Sequence, residues 1–209
     1  MALFGRSKKE GRALFGRRKD DEPKKPVRHE LVDIPIESMI ELSDITTYEE
    51  TGDTSHVFKL VTRKKYEADS LRRYMYHLQD VEEEVILGVD HIAGTKEEYE
   101  VSRWIIDDEC ELGDPLPDHI TLYFPDPENE NEDVAIEYTR QDVVPAVLTL
   151  TDAEGEEKFD VELHEYVSGD EEFMSIELRG DWLTFYTGVL IRRSDIEIYP
   201  AMEPASKSK

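Results

Sequence analysis

The chain has 209 residues, enough for one domain or two small ones with a real core. Apolar residues make up 38% and charged residues 36%, with a net charge of −25. An acidic balance of that size repels phosphate backbones and anionic lipid, so nucleic-acid binding by the bulk of the chain is excluded. The single cysteine, Cys110, excludes an internal disulfide.

Charge is not evenly spread. Residues 1–28 carry ten Lys/Arg against four acids, a net +6, which leaves −31 for the rest. This leader also holds a repeat with a period of 11: Leu3-Phe4-Gly5-Arg6 returns as Leu14-Phe15-Gly16-Arg17, followed by Arg18. Eleven residues are close to three helical turns, so both Leu-Phe pairs would share a helix face ringed by basic groups. Leu3, Phe4, Arg6, Leu14, Phe15, Arg17 and Arg18 are therefore the expected contact residues. Their target would be an anionic membrane surface or a protein groove. A solvated leader and docking onto the chain's own acidic face remain the bland alternatives. Asp20–Pro26 reads as a linker.

From His29 the pattern changes. Leu31–Leu42, interrupted by Pro35, suits an edge strand or two short strands around a bend. Thr47–Ser55 is turn-like, and Val57–Val61 is a strand. Leu71–Leu87 is ambiguous between a helix and a hairpin, because Leu71, Tyr74, Met75, Leu78, Val81 and Val85 recur near helical spacing while Tyr74, Tyr76 and Leu78 alternate. The hairpin is favoured, with Gln79–Glu83 as its turn and Val85–Val89 as its second strand. Tyr99–Ile106 is a strand, Asp107–Asp118 an acidic loop, Ile120–Phe124 a strand and Pro125–Asp133 a second acidic loop. Val134–Tyr138 follows, then Val147–Leu150 and Lys158–Leu163 around the turn Asp152–Glu156. Phe173–Leu178 and Trp182–Tyr186 flank Arg179-Gly180-Asp181, a hairpin signal with Gly as the left-handed residue. Val189–Ile191 and Ile196–Tyr199 close the series, and residues 201–209 read as a frayed tail.

Short strands with turn signals every 8–12 residues predict a mainly β fold, an antiparallel sandwich or barrel with at most one or two short helices. The acidic part, 29–200, forms either one body or two β units, 29–106 and 119–200.

Catalytic patterns are scarce. There is no phosphate loop, no dinucleotide fingerprint and no nucleophile elbow, so no cofactor is expected. Cys110 stands among Asp107, Asp108, Glu109 and Glu111, which disfavour a thiolate. The six histidines form no ligand pair in sequence. A zinc site would need His77 and His91 to meet across strands. Asp126, Glu128 and Glu130, with Glu132 and Asp133, resemble hard-cation ligands but lack the glycine and distal glutamate of the EF-hand loop. Arg72-Arg73 beside Tyr74-Met75-Tyr76 could stack on a single strand of nucleic acid, but ion pairing inside an acidic body is the stronger expectation. No apolar run approaches the ~20 residues that span a bilayer, and the N-terminus has no apolar stretch of the secretory type.

The opening LFGR with its basic residues, RRYMYHLQDVEEEVILGVD at 72–90 and DEEFMSIEL at 170–178 resemble the uncharacterised YjfK-like family of bacterial proteins. That resemblance implies a cytoplasmic accessory role beside a membrane-associated partner, peripheral to the inner membrane face, and carries over no catalytic residue. The expected function is a non-enzymatic interaction protein whose acidic β body binds a protein partner. The rivals are a carboxylate-based hydrolase drawing on loops 107–118 and 125–133, and a calcium-binding module.

Overall fold

The computed structural model describes residues 31–43, 56–69, 71–81, 83–91, 99–126, 129–169 and 172–201, with the side chains of 125–132 outside the description. Leu3, Phe4, Arg6, Leu14, Phe15, Arg17 and Arg18 lie outside the described residues.

Among the described residues, eleven strands form one antiparallel sheet. In chain order they are β1 (Met39–Leu42), β2 (His56–Glu67), β3 (Arg72–Gln79), β4 (Glu84–His91), β5 (Tyr99–Glu111), β6 (His119–Asp126), β7 (Asn129–Thr151), β8 (Glu156–Val167), β9 (Glu172–Arg179), β10 (Trp182–Leu190) and β11 (Ile196–Tyr199). Among the described residues the only helical element is a 3-10 turn, Arg193–Asp195. The mainly β, barrel-like expectation therefore holds.

The sheet runs β11-β1-β2-β3-β4-β5-β10-β9-β8-β7-β6, and β2 pairs again with β7. That second pairing, Arg63–Glu67 against Thr151–Val147, closes β2, β3, β4, β5, β10, β9, β8 and β7 into a ring. Closure pairs the ring strands on both sides over most of their length and so limits exposed edges, the usual liability of all-β proteins. β1 and β11 extend the sheet beyond β2, and β6 extends it beyond β7.

Side chains alternate across a strand, so each ring strand feeds two cores. The inner one takes Tyr66, Met75, Ile86, Trp104, Leu148, Leu163 and Tyr186, from strands all round the ring. An outer core over β2–β5 gathers Phe58, Tyr74, Tyr76, Leu78 and Leu87 with Leu31, Ile34, Ile40 and Ile198. A second outer core sets Tyr166, Met174, Ile176 and Leu183 under Tyr138, with Ile120 and Leu122 packed against it. The ring is thus lined inside and flanked on two sides.

Several boundaries differ from the sequence reading. The ambiguous segment is two strands, β3 and β4, and Asp80 Oδ1 accepts the Glu83 N–H at 2.7 Å in their turn. Asp107–Glu111 is not loop but the end of β5, paired with β10, and only the residues after Glu111 form the connection to β6. The second acidic loop also shrinks, because β6 runs to Asp126 and β7 starts at Asn129. Ladder pairing outweighs local charge in β5 because Asp107, Asp108, Glu109 and Glu111 are all exposed, so their carboxylates stay in water while the backbone pairs. Leu31–Leu42 contributes only the short β1; its first part is an irregular turn with Asp33 and Glu37 at φ 51° and 73°. Gly180, at φ 64°, turns the β9–β10 hairpin as its sequence position required.

Candidate interaction site

The inner core is not wholly apolar. Lys64 Nζ, on β2, donates to Glu177 Oε2 on β9 at 3.0 Å and to the Tyr186 hydroxyl on β10 at 2.7 Å. The Tyr66 hydroxyl donates to the same Glu177 oxygen. Glu177 is almost fully buried, at 2% exposure. Burial pulls the Lys64 pKa down, but the Tyr186 and Glu177 oxygens outweigh it and the net shift is upward, so the ammonium stays charged. Burial, with Tyr186 and Glu177 adding, pushes the Tyr66 phenol well up, so it remains a donor.

A second cluster lies further along the ring. Arg73 holds Asp90 in a two-pronged bond, Nε to Oδ1 at 2.8 Å and Nη2 to Oδ2 at 2.9 Å. It also holds Glu165, with Nη1 to Oε1 at 2.9 Å, and Ser175 Oγ donates to that oxygen at 2.8 Å. Its guanidinium lies 5.3 Å from the Trp104 ring centre. Burial works against the Arg73 charge, but Asp90 and Glu165 outweigh it and raise the pKa. Each charge in these two clusters meets an opposite charge inside the ring. These networks tie β2 to β9 and β10, and β3 to β4, β8 and β9, across the inside of the ring.

The open surface is elsewhere. β7 pairs with β6 up to Thr139 and with β2 only from Val147. Between those limits Asp142–Ala146 pair, among the described residues, with β8 alone. Pro145 is tolerated in so long a strand because one side of the ladder is open there. A groove of about 770 Å³ occupies this gap. Its floor shows Val143, Pro145 and Val147, the two valines 38% and 43% exposed. Opposite them on β8 stand acids, Glu162 facing Pro145 and Asp160 facing Val147. Glu67, Asp69 and Asp142 complete the rim, and no Lys or Arg is among the described lining residues.

The other sequence candidates separate. His77 lies opposite Ile86 on the β3–β4 ladder and His91 opposite Tyr99 on the β4–β5 ladder, five residues from Ile86 along β4. At about 3.3 Å per residue, the two histidines are too far apart to share a zinc ion. Asp126 and Glu130 lie on β6 and β7 with their side chains outside the described set, as is all of Glu128. Among the described residues no group of three His, Cys, Asp or Glu side chains could hold a metal. Arg73 turns inward to its two carboxylates, so it is not available for stacking on nucleic acid. Cys110 is half-buried against the core that contains Leu183. No described helix is long and apolar enough to cross a membrane.

The groove was not legible in advance. Val143–Val147 reads as an ordinary apolar run, and only the staggered ends of β6 and β2 leave it uncovered. No family model, curated protein or solved structure matches the chain.

Proposed function

We propose that the protein is a non-enzymatic interaction module that captures an extended, basic segment of a partner protein along the open side of β7. The observation that carries this reading is the stretch Asp142–Ala146, paired on one side only and bordered by carboxylates. An added strand would gain main-chain hydrogen bonds from the open edge. Small apolar side chains on one face of the segment would rest on Val143 and Val147. Lys or Arg on that same face would meet Asp160 and Glu162, which share it with Val147 and Pro145, and the surplus negative charge would steer the segment in. The +6 leader belongs to the same reading as a second contact of opposite sign, directed at an anionic membrane surface.

Calorimetry of the full chain with an extended peptide carrying both Lys and Val on one face, against a counterpart with Glu in place of Lys, tests the capture. The basic peptide should bind, weaken with added salt, and lose at least about tenfold in affinity, roughly 1.4 kcal/mol, to Asp142→Lys/Asp160→Lys. N-methylation of alternate peptide amides should weaken it as well. Equal binding of both peptides, or indifference to the charge reversals, would refute the assignment. Tighter peptide binding by a chain starting at His29 would refute partner capture in favour of the leader as the groove's own occupant. Co-sedimentation of both chains with anionic vesicles tests the leader, and equal binding would remove its membrane role.

A further inference from the structure

β6 is the last strand of the sheet, and among the described residues no strand pairs with its outer side. With residues 129–138 of β7 it forms a two-stranded ribbon, because β8 reaches β7 only from Thr139. One face of the ribbon packs Ile120, Leu122, Ile136 and Tyr138 on the second outer core. The other face carries Thr121 and Tyr123 into solvent, and Tyr123 is 70% exposed.

An open strand edge is a template for another strand, and proteins guard such edges with charge or keep them short. Elsewhere this chain does both. Residues 105–111 of β5, 156–161 of β8 and 129–138 of β7 are each paired on one side only among the described residues, and each stretch carries at least three acids. β11, at the opposite end of the sheet, has four residues. β6 is neither short nor charged. Its residues 119–125, HITLYFP, contain no Asp, Glu, Lys or Arg in a chain where 36% of residues are of those types. A charged segment would find no counter-charge along this edge. An uncharged strand of the same length matches it, and every copy of this chain supplies one.

We infer that β6 pairs antiparallel with β6 of a second copy, joining the two sheets across a two-fold axis. An interface of this kind must complement itself. Centred on Leu122, the ladder sets Thr121 opposite the copy's Tyr123 and Ile120 opposite its Phe124, and it uses all of 119–125. Side chains of both copies keep their faces, with Ile120 and Leu122 towards the cores and Tyr123 in the open. No like charges stand opposite one another within it. Asp118, just before the strand, is already paired with Arg140. Each copy carries a net charge of −25, so the bodies repel at long range and the contact strengthens as salt screens them. So short a ladder belongs to the small, transient class of interfaces, with dissociation in the micromolar range. This contact is independent of the β7 groove, whose capture of a basic segment has the opposite salt dependence.

Sedimentation equilibrium of the full chain, between about 50 and about 500 mM salt, tests the pairing together with amide exchange across β6. The chain should dimerise more tightly at the higher salt, and amides within 119–125 should exchange more slowly as protein concentration rises. Thr121→Lys/Tyr123→Lys sets lysines against each other and should weaken the dimer at least about tenfold. Thr121→Lys/Tyr123→Glu sets opposite charges face to face and should dimerise at least as well as the parent. Both positions are exposed, so neither variant threatens the fold, and the exchange measurement on the parent needs no variant. The inference is overturned by a chain that stays monomeric at millimolar concentration in the higher salt. Association that weakens with salt, which points to the basic leader on an acidic groove, overturns it too. So does equal dimerisation of the two variants.

Discussion

Gly188 lies directly opposite Trp104 in the β5–β10 ladder, and a Cβ at that position would fall 2.6 Å from Trp104 Cδ2. On the other side of β5, Gly88 faces Ser102, whose hydroxyl accepts the Trp104 indole N–H at 2.7 Å. A Cβ on Gly88 would also collide with the indole. The ring's largest inward side chain is therefore housed by two glycines on the flanking strands, with Phe173 edge-on at 4.8 Å.

Gly188→Ala should destabilise the fold by about 1–3 kcal/mol, the usual range for overpacking. Urea unfolding gives the size of the effect, and near-ultraviolet circular dichroism reports the displaced indole. Trp104→Phe in the same background should recover part of the loss, because Trp104 Cε3, 2.7 Å from the added Cβ, is removed while the contact with Phe173 remains.

Glu177 is the shared acceptor of Lys64 and Tyr66. Glu177→Leu should cost about 3–5 kcal/mol, since it strands a buried ammonium. The double change Lys64→Met/Glu177→Leu should be much less harmful than the sum of the single changes. A double-mutant cycle by chemical denaturation measures the difference.

Arg73 meets two carboxylates with one planar group, which an ammonium cannot imitate. Arg73→Lys should lose on the order of 1–3 kcal/mol. Arg72→Lys, one residue earlier and exposed, should stay within about 0.5 kcal/mol of the parent. Thermal melts of the pair make the comparison.

His77 predicts an acid limb of stability. Its folded pKa is lowered to about 3, mainly by burial, against an unfolded value of about 6.5. The unfolded chain takes up the proton first as pH falls, so the contribution is whole above the upper value and declines towards the lower one. Between those limits His77→Gln should show a shallower fall of unfolding free energy, by up to about 1.4 kcal/mol per pH unit. Denaturation curves across that window, parent against variant, provide the check.

Turn chemistry and alternation made much of the ring readable. Asp152–Glu156 and Arg179-Gly180-Asp181 marked their hairpins, and Tyr74, Tyr76 and Leu78 share one outer core as their spacing required. Strand length was harder. β2 continues past Val61 through Thr62–Lys65, residues that look solvated in sequence, because Lys64 has a buried acid 113 positions away to meet. β7 carries on through Pro145, and β5 through three consecutive acids, since each is held by a neighbour that local composition does not reveal. The β7 groove arises from where pairings stop, a property of staggered strand ends with no residue signature of its own.

The join between Arg63–Glu67 and Val147–Thr151 links residues 80 to 88 positions apart in the chain. Local hairpins such as β3–β4 and β9–β10 can assemble early and independently, but the circuit has no circumference until this distant seam is stitched. Loop-closure entropy must be met before that contact gives anything back. This seam and the comparably distant β5–β10 join are accordingly expected to be the slow events of folding, and until they form the strands meant to line the lumen remain borders at which neighbouring chains can pair.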